Sequence, residues 1–195
     1  VPACEPISVA LGGMAEEVHC WQLADAGAGP LTLFLDHPAS FDRAGIYGEG
    51  GVDYPDNSRR FALFSLAAVE VAARLSAPRG ILHAHDWHNA LAPVYLRVTN
   101  AGRPELDRLP SVLTVHNGGF QGHFGRDVLH AIGLPEHFWS PEYLEWYGRL
   151  NYLKGGLKFA DMVTTVSPTH AVEMRTEVGG FGLHDVFQGL GERFV

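Results

Sequence analysis

Short apolar runs that end in polar residues recur along this chain, and their spacing predicts a parallel sheet. Three of these runs have the length and apolar character of buried strands: Gly80–Ala84, Ser111–Val115 and Met162–Val166. Segments with helical spacing, Asn89–Arg97 and Pro168–Arg175 among them, lie between and after these runs. Because strands joined by helices run parallel, the pattern predicts an α/β fold whose polar strand ends share one edge.

The pattern near the N-terminus predicts strands. Ile7–Leu11 and Glu17–Leu23 are rich in β-forming residues and are separated by Gly12 and Gly13, which favours an antiparallel hairpin. Leu31–Leu35 favours a further short strand. Residues 1–40 are therefore expected to form a β-hairpin region.

Helical spacing predicts further helices. One runs from Asp56 or Asn57 to about Leu75, and its apolar stripe is expected to face the core: Phe61, Phe64, Ala68, Val71 and Leu75. A second is predicted over Leu150–Phe159, with Leu150, Leu153 and Leu157 on one face, and Gly155 and Gly156 mark tight packing. Ser167 is expected to cap the helix Pro168–Arg175.

Two segments without clear periodicity are candidates for ligand contact. Phe41–Asn57 contains several glycines among aromatic and acidic residues, which predicts a long loop with Tyr47 in its middle. A tyrosine flanked by glycine on such a loop is a candidate for ligand contact as well as an ordinary surface residue. A later stretch could stack on sugars or fill the core, and both interpretations stay open: Phe138, Trp139, Tyr143 and Trp146.

The segment HAHDWH, from His83 to His88, concentrates polar chemistry at a predicted strand end. Ligands bind at such ends in open parallel sheets. If the strand pleat persists, His83 and His85 point to one face, while Asp86 and His88 lie near a helix N-terminus. Burying these groups without partners is costly, so the segment favours a functional role over a packing role.

Composition narrows the classes of function. The 195 residues are 46% hydrophobic, enough for the core of one large domain. A net charge of -8 without a basic patch argues against nucleic acid as a partner. No apolar run is long enough to span a membrane, and the first residues of this sequence do not show a basic region followed by an apolar one. Cys4 and Cys20 are expected to be free thiols in a reducing cytoplasm, with pairing as the alternative.

Four motifs in this order and spacing resemble the N-terminal half of bacterial glycogen synthases and plant starch synthases: YPDNSRRFALFS, HAHDWHNALAP, SVLTVHNGGFQG and LKGGLKFADMVTTVSP. The resemblance covers roughly residues 41–194. It implies a GT-B glycosyltransferase fold, in which two Rossmann-like domains enclose an active-site cleft. It also implies transfer of glucose, with retention, from ADP-glucose or UDP-glucose to the non-reducing end of an α-1,4-glucan, without a metal or another cofactor.

The resemblance also implies how much of such an enzyme the chain holds. The family's KTGGL-type glycine-rich loop, which helps hold the donor diphosphate, and its second domain have no match in these residues. Residues 1–195 are therefore expected to be a fragment of the N-terminal, acceptor-side Rossmann-like domain, with residues 1–40 as a variable hairpin region. The second GT-B domain of the same enzyme is the implied partner, and the 195 residues alone are expected to transfer no glucose.

Carried over residue by residue, the resemblance implies two catalytic residues. His116 matches the family's active-site histidine near the donor glucose, and Asp86 matches the acidic residue that hydrogen-bonds sugar hydroxyls. Glycosyl transfer passes through an oxocarbenium-like state, which needs oriented polar groups rather than a strong base. Tyr47 matches a loop tyrosine of the same cleft, and four more residues are implied as substrate contacts: Trp87, His88, Asn117 and Gln121.

Two other functions remain open from the residues alone. HAHDWH differs by a one-residue slip from the HxHxDH zinc signature of metallohydrolases, in which His83, His85 and His88 would hold the metal. The misplaced Asp spoils the ligand spacing. The other alternative is a non-catalytic sugar-binding domain.

Overall fold

The computed structural model describes residues 1–24, 29–75, 80–98, 102–107 and 109–195. The strands are β1 (Ile7–Leu11), β2 (Met14–Gln22), β3 (Leu33–Asp36), β4 (Gly48–Glu49), β5 (Val52–Asp53), β6 (Leu82–His85), β7 (Ser111–Val115), β8 (His123–Phe124), β9 (Glu145–Trp146), β10 (Arg149–Asn151) and β11 (Met162–Thr165). The helices are α1 (Pro38–Phe41), α2 (Asn57–Leu75), α3 (Leu91–Val98), α4 (Val128–Ala131), α5 (Tyr152–Phe159), α6 (Pro168–Met174) and α7 (His184–Gly189). Single 3-10 turns cover Trp87–Asn89, Glu136–Phe138 and Gly191–Arg193.

The central sheet has the strand order β11–β7–β6, and its strands are parallel. His85 pairs with Thr114, and Thr165 pairs with Val115, so the strands end at one edge. The backbone N–H of Asp86 donates to the Thr114 carbonyl across this edge (2.9 Å). The prediction of a parallel sheet with its polar strand ends side by side is therefore confirmed.

Helix α3 packs against both β6 and β7, and it also contacts α2 and α5. The close approach of α5 depends on Gly156. A Cβ atom there would lie 2.7 Å from the Ala90 carbonyl oxygen and 2.8 Å from the Leu113 side chain. A Cβ at Gly155 would lie 3.0 Å from the Leu144 side chain, so the predicted tight packing of the glycine pair is confirmed.

The predicted core stripe of α2 is only partly correct. Phe61 is buried, but Phe64 and Ala68 are half-buried and Leu75 is 55% exposed. The helix contacts both α3 and β1, so its buried surface is wider than one stripe and includes other residues: Ala62, Leu63, Leu66, Ala67 and Val69. Helical spacing alone does not show that two different elements pack against the same helix.

The helix predicted over Leu150–Phe159 begins later. Leu150 lies in β10, where it pairs antiparallel with Phe124 and Glu145. The buried Asn151 caps α5, because its side-chain oxygen accepts the backbone N–H of Lys154 (2.9 Å). Periodicity missed this strand because it has only three residues and is defined by its pairing with two strands of two residues each.

The predicted cap of α6 is confirmed. The Ser167 hydroxyl accepts the backbone N–H of His170 (3.1 Å), and Pro168 occupies the first turn. The N-terminal hairpin is also present, although β2 begins at Met14 rather than at Glu17. Its partner β3 completes an antiparallel sheet in the order β1–β2–β3. Residues 25–28 of the predicted hairpin region lie outside the described residues.

The segment predicted as a structureless loop, Phe41–Asn57, contains the small hairpin β4–β5. In the later aromatic stretch, Phe138 is buried, whereas Trp139, Tyr143 and Trp146 are partly buried and pack against the core. The core interpretation therefore fits Phe138 best. Across the described ranges, no helix combines the length and the apolarity that crossing a membrane requires.

Candidate active site

A cavity of about 600 Å³ opens at the edge where β6 and β7 end. The residues that line it are Tyr47, Asp53, Asn57, Asp86, Trp87, His88, Asn117, Gly119, Phe120, Gln121, Gly122, His123 and Phe124. Within the part of the chain that the structure describes, no Lys or Arg lines the cavity, whereas two aspartates do. Aromatic rings with a few oriented polar groups suit a neutral, hydroxylated ligand better than an anion.

Asp86 is held in an unusual backbone conformation at the cavity wall. Its φ of 55° and ψ of -173° lie in a region that residues other than glycine rarely adopt, so the backbone is strained there. Its carboxylate Oδ1 accepts the backbone N–H of His116 (2.7 Å), while its own N–H donates to Thr114. These two bonds tie the ends of β6 and β7 together and orient the carboxylate.

Tyr47 reaches the cavity from the loop before α2. Its hydroxyl lies 2.8 Å from His88 Nε2, and the two rings stack with centroids 5.3 Å apart. Burial lowers the pKa of the His88 imidazole, although the Asp86 carboxylate opposes this shift. A neutral His88 can accept a hydrogen bond from the tyrosine hydroxyl, so the pair forms one polar wall of the cavity.

The loop that carries Tyr47 is fastened to α2 by Arg60, which is 3% exposed. The Arg60 guanidinium donates to the Ser40 carbonyl (2.6 Å), the Ile46 carbonyl (3.0 Å) and Asn57 Oδ1 (2.5 Å). Asn57 Nδ2 in turn donates to the Tyr47 carbonyl (2.7 Å). Burial lowers the pKa of Arg60, and these acceptors compensate for its lost hydration. Tyr47 is therefore positioned by a buried side chain of the neighbouring helix.

Trp87 forms the floor of the cavity. Its indole packs edge-on against Phe61, with ring centroids 4.7 Å apart, and is only 9% exposed. Gly122 passes directly over the ring, because a Cβ atom there would lie 2.4 Å from Trp87 Cε3. The φ of Gly122 is 68°, so the position requires glycine for conformation as well as for space.

Gln121 lines the cavity, but its amide is bound to protein atoms. The amide nitrogen donates to the carbonyls of Gly118 (2.8 Å) and Phe181 (2.9 Å), and the amide oxygen accepts from Asn151 Nδ2 (2.7 Å). The side chain is 4% exposed. This geometry gives Gln121 a role in shaping the segment after β7, whereas the neighbouring Asn117 is exposed.

His116 lies at the same sheet edge but does not line the cavity. Its Nε2 is 3.2 Å from His85 Nδ1, and the His85 ring is 4.3 Å from that of His83. The prediction that His83 and His85 share one face is confirmed. Burial, followed by the neighbouring His83 and His116, lowers the pKa of His85. Asp86 and His116 meet through the histidine backbone rather than through two converging side chains.

The histidines of HAHDWH have separate partners. His83 Nε2 lies 2.7 Å from Thr114 Oγ1, whereas His88 Nε2 lies against the Tyr47 hydroxyl. Among the described residues, no three His, Cys, Asp or Glu side chains are grouped so that they could hold a metal ion. This arrangement does not fit the zinc signature, which needs its ligands to converge.

A model of the starch synthase catalytic domain matches residues 3–189. The chain belongs to this family. Its relatives include the glycogen synthase of Koribacter versatilis, 46% identical over 83% of this chain, and that of Rhizobium tropici, 48% identical over 82%. Each match covers 33% of the relative, so the chain spans about a third of the length of these relatives.

The structural comparison agrees with this family. The catalytic domain of starch synthase IV from Arabidopsis thaliana, bound to ADP and acarbose, matches with a TM-score of 0.83 and 30% identity. The match covers 100% of this chain and 39% of that chain. The predicted Rossmann-like part of a GT-B glycosyltransferase is therefore confirmed.

Several cavity residues of this starch synthase domain were missed by the sequence analysis: Asp53, Phe120, His123 and Phe124. Asn57 was considered only as a helix cap, yet it is buried and holds Tyr47. The glycines at 118, 119 and 122 predict close backbone approach to a ligand, but they do not show which neighbouring side chains line the cavity.

Three histidines whose pKa is lowered in the folded protein make stability depend on pH. In addition to His85 and His88, His123 has a pKa lowered by burial and then by Arg149. Below the ordinary value of 6.5, the unfolded chain takes up protons that the folded chain does not, so stability falls with decreasing pH. We expect the free energy of unfolding to decrease between about pH 7.5 and about pH 5.5 in urea titrations. His88→Gln should flatten this decrease, and an unchanged pH profile in that variant would contradict the role assigned to burial.

Proposed function

We propose that the protein transfers glucose from ADP-glucose or UDP-glucose to the non-reducing end of an α-1,4-glucan with retention. The observation that carries the proposal is the cavity of about 600 Å³ at the carboxyl edge of the parallel sheet, in which Asp86, Tyr47 and His88 stand over a tryptophan floor. Oriented polar groups next to an aromatic surface suit a glucose ring. The glycogen synthases among the relatives support the same reaction.

In this proposal, Asp86 and His116 are the catalytic residues. Asp86 holds the reacting glucosyl group inside the cavity, and His116, exposed at the same sheet edge, would contact it from beside the cavity. Asp86 would accept hydrogen bonds from its hydroxyls, and the pairing of both residues across two strand ends limits their reorganisation. Tyr47, Trp87, His88 and Asn117 would contact the substrates, and Gln121 would act by positioning the loop. Polar groups that are already oriented favour the oxocarbenium-like transition state without acting as a strong base.

The donor diphosphate needs positive charge, which the described lining of the cavity lacks. We propose that basic side chains of the second GT-B domain of the same enzyme supply that charge when the cleft closes. The starch synthase IV domain was solved with ADP and acarbose, which supports a nucleotide-sugar donor and an α-glucan acceptor. Neither a metal nor another cofactor takes part in this proposal.

We also place the reaction in the cytoplasm, without a nucleic-acid or membrane partner. Both cysteines are free thiols, and burial, with Cys4 nearby, raises the pKa of Cys20, which keeps it in the thiol form. Free thiols are usual in a reducing compartment.

In the decisive experiment, the intact enzyme is incubated with glycogen and with radiolabelled ADP-glucose or UDP-glucose. We expect label to enter the polymer and an α-1,4-specific amylase to release it as short sugars. The rate of incorporation should not change after chelation of metal ions. The metallohydrolase alternative predicts no incorporation and a chelator-sensitive hydrolysis. The sugar-binding alternative predicts glycogen binding without turnover, and either result would contradict the proposal.

A further inference from the structure

Two exposed aromatic residues stand in the left-handed backbone region near the cavity. Tyr147 has a φ of 47° and is 84% exposed, and Phe181 has a φ of 50° and is 51% exposed. Each precedes a glycine, Gly148 or Gly182, that also has positive φ. A bulky side chain in this conformation costs about 1–2 kcal/mol, so the stability of the local backbone does not explain why an aromatic residue occupies either position.

The turn around Tyr147 makes the choice of residue informative. Arg149 pairs with Trp146, so Tyr147 and Gly148 form the two-residue turn between β9 and β10. Asn or Asp is the usual residue before glycine in such a turn, because both tolerate positive φ. A tyrosine here adds strain and exposes an aromatic ring, which is the pattern expected where a ring contacts a ligand.

Trp146 links the Tyr147 ring to the cavity and contacts the glycine that follows Phe181. Its indole lies edge-on to Tyr147, with centroids 4.8 Å apart, and it contacts the tilted ring of His123, which lines the cavity. Its Nε1 donates to the carbonyl of Gly182 (3.2 Å). The aromatic surface therefore continues from the cavity wall outward to Tyr147 without a break in contacts.

Phe181 extends the same surface on the other side. Its ring lies beside Gly118 and Gly119, at 3.4 Å and 3.5 Å from the Cβ positions that those glycines lack, and its carbonyl accepts from Gln121. Phe120, which lines the cavity, is 67% exposed. Exposed rings thus flank the cavity opening.

The charged groups beside this surface are engaged in the turn. Glu145 Oε1 accepts the backbone N–H of Gly148 (2.6 Å), and the Arg149 guanidinium donates to the His123 carbonyl (3.0 Å). A neutral polymer of sugar rings, whose C–H faces stack on aromatic rings, fits such a surface better than an ionic partner does.

We propose that Tyr147 and Phe181 form a subsite for the α-glucan acceptor, where they bind glucose units beyond the one that enters the cavity. The inference rests on the proposed glucosyl transfer and adds a chain-length preference to it. Acceptors long enough to reach these rings gain stacking contacts, whereas short acceptors occupy the cavity alone.

The test compares maltose with maltoheptaose as acceptors of the intact enzyme. The variant carries Tyr147→Asn and Phe181→Asn, because asparagine removes each ring and still accepts positive φ. We expect KM for maltoheptaose to rise about tenfold, while KM for maltose changes less than twofold. The matched control is Phe34→Asn, which removes an aromatic ring that is 50% exposed on β3 and should leave both KM values unchanged.

The outcomes separate the two proposals. If the unmodified enzyme transfers no glucose to either acceptor, the proposed function fails. If it transfers glucose but the double variant keeps the original ratio of the two KM values, the subsite is wrong. A surface that instead binds a second copy of the chain would show self-association that the double variant loses in sedimentation, and this result would also overturn the subsite.

Discussion

Alanine in place of Asp86 or of His116 is expected to lower kcat of the intact enzyme by about a hundredfold, comparable to the loss of one preorganised polar group. KM should change far less, because an interaction that strengthens in the transition state contributes mainly to turnover. Steady-state kinetics with a nucleotide-sugar and glycogen measure both quantities. Circular dichroism of each variant shows whether the fold is retained.

The two residues need different controls. Asp86→Asn keeps the side-chain shape and an oxygen that can accept the His116 N–H, so it removes the charge while preserving the strand-end contact. His116→Ala keeps the backbone N–H that Asp86 accepts, so it tests the imidazole ring alone. The exposed His130 of α4, outside the cavity lining, provides the matched histidine-to-alanine control.

Near-normal kcat in a folded His116→Ala enzyme would remove His116 from the catalytic residues. The structure makes that outcome informative, because the ring faces His85 while the backbone faces Asp86. The histidine would then contribute only through its main chain. Near-normal kcat for Asp86→Asn would likewise show that the carboxylate charge has no part in turnover.

Gly122→Ala is expected to destabilise the protein by about 2–4 kcal/mol. About 1–2 kcal/mol comes from forcing alanine to a φ of 68°, and the remainder from overpacking, since the added Cβ would lie 2.4 Å from the Trp87 ring. Trp87 is buried beneath the cavity and cannot move without disturbing Phe61. Urea unfolding followed by circular dichroism measures the loss.

Gly13→Ala is the control that separates the two causes. Gly13 has a φ of 78°, and a Cβ atom there meets nothing within 4 Å, so only the conformational cost of about 1–2 kcal/mol applies. Equal losses of stability in the two variants would show that the Trp87 ring can move away from the added Cβ at no cost in free energy. The floor of the cavity would then not be a rigid surface.

Much of the sheet could be predicted from local sequence. Buried strands need continuous apolar residues, so the sequence alone predicts strands at Ser111–Val115 and at the other two runs. Chain direction followed as well, because helices between strands require parallel pairing. Parallel pairing then places Asp86 beside the end of β7.

Contacts between distant residues were not encoded in any local pattern. The spacing of Leu150 is helical, yet antiparallel pairing with the distant Phe124 and the nearby Glu145 places it in a strand. The face of α2 that is buried depends on two neighbours, α3 and β1. In each case local propensity, worth a fraction of a kcal/mol per residue, gave way to burial and pairing.

The candidate site divides in the same way. The sequence by itself determined which residues stand at the strand ends, because the end of an apolar run is a local property, and HAHDWH and His116 follow from it. Only the tertiary structure decided their directions: Tyr47 joins His88 across 41 residues, His116 turns its ring to His85, and Gly122 covers Trp87. Side-chain direction is set by packing and hydrogen bonds among elements that meet only after folding, so the chain order cannot specify it.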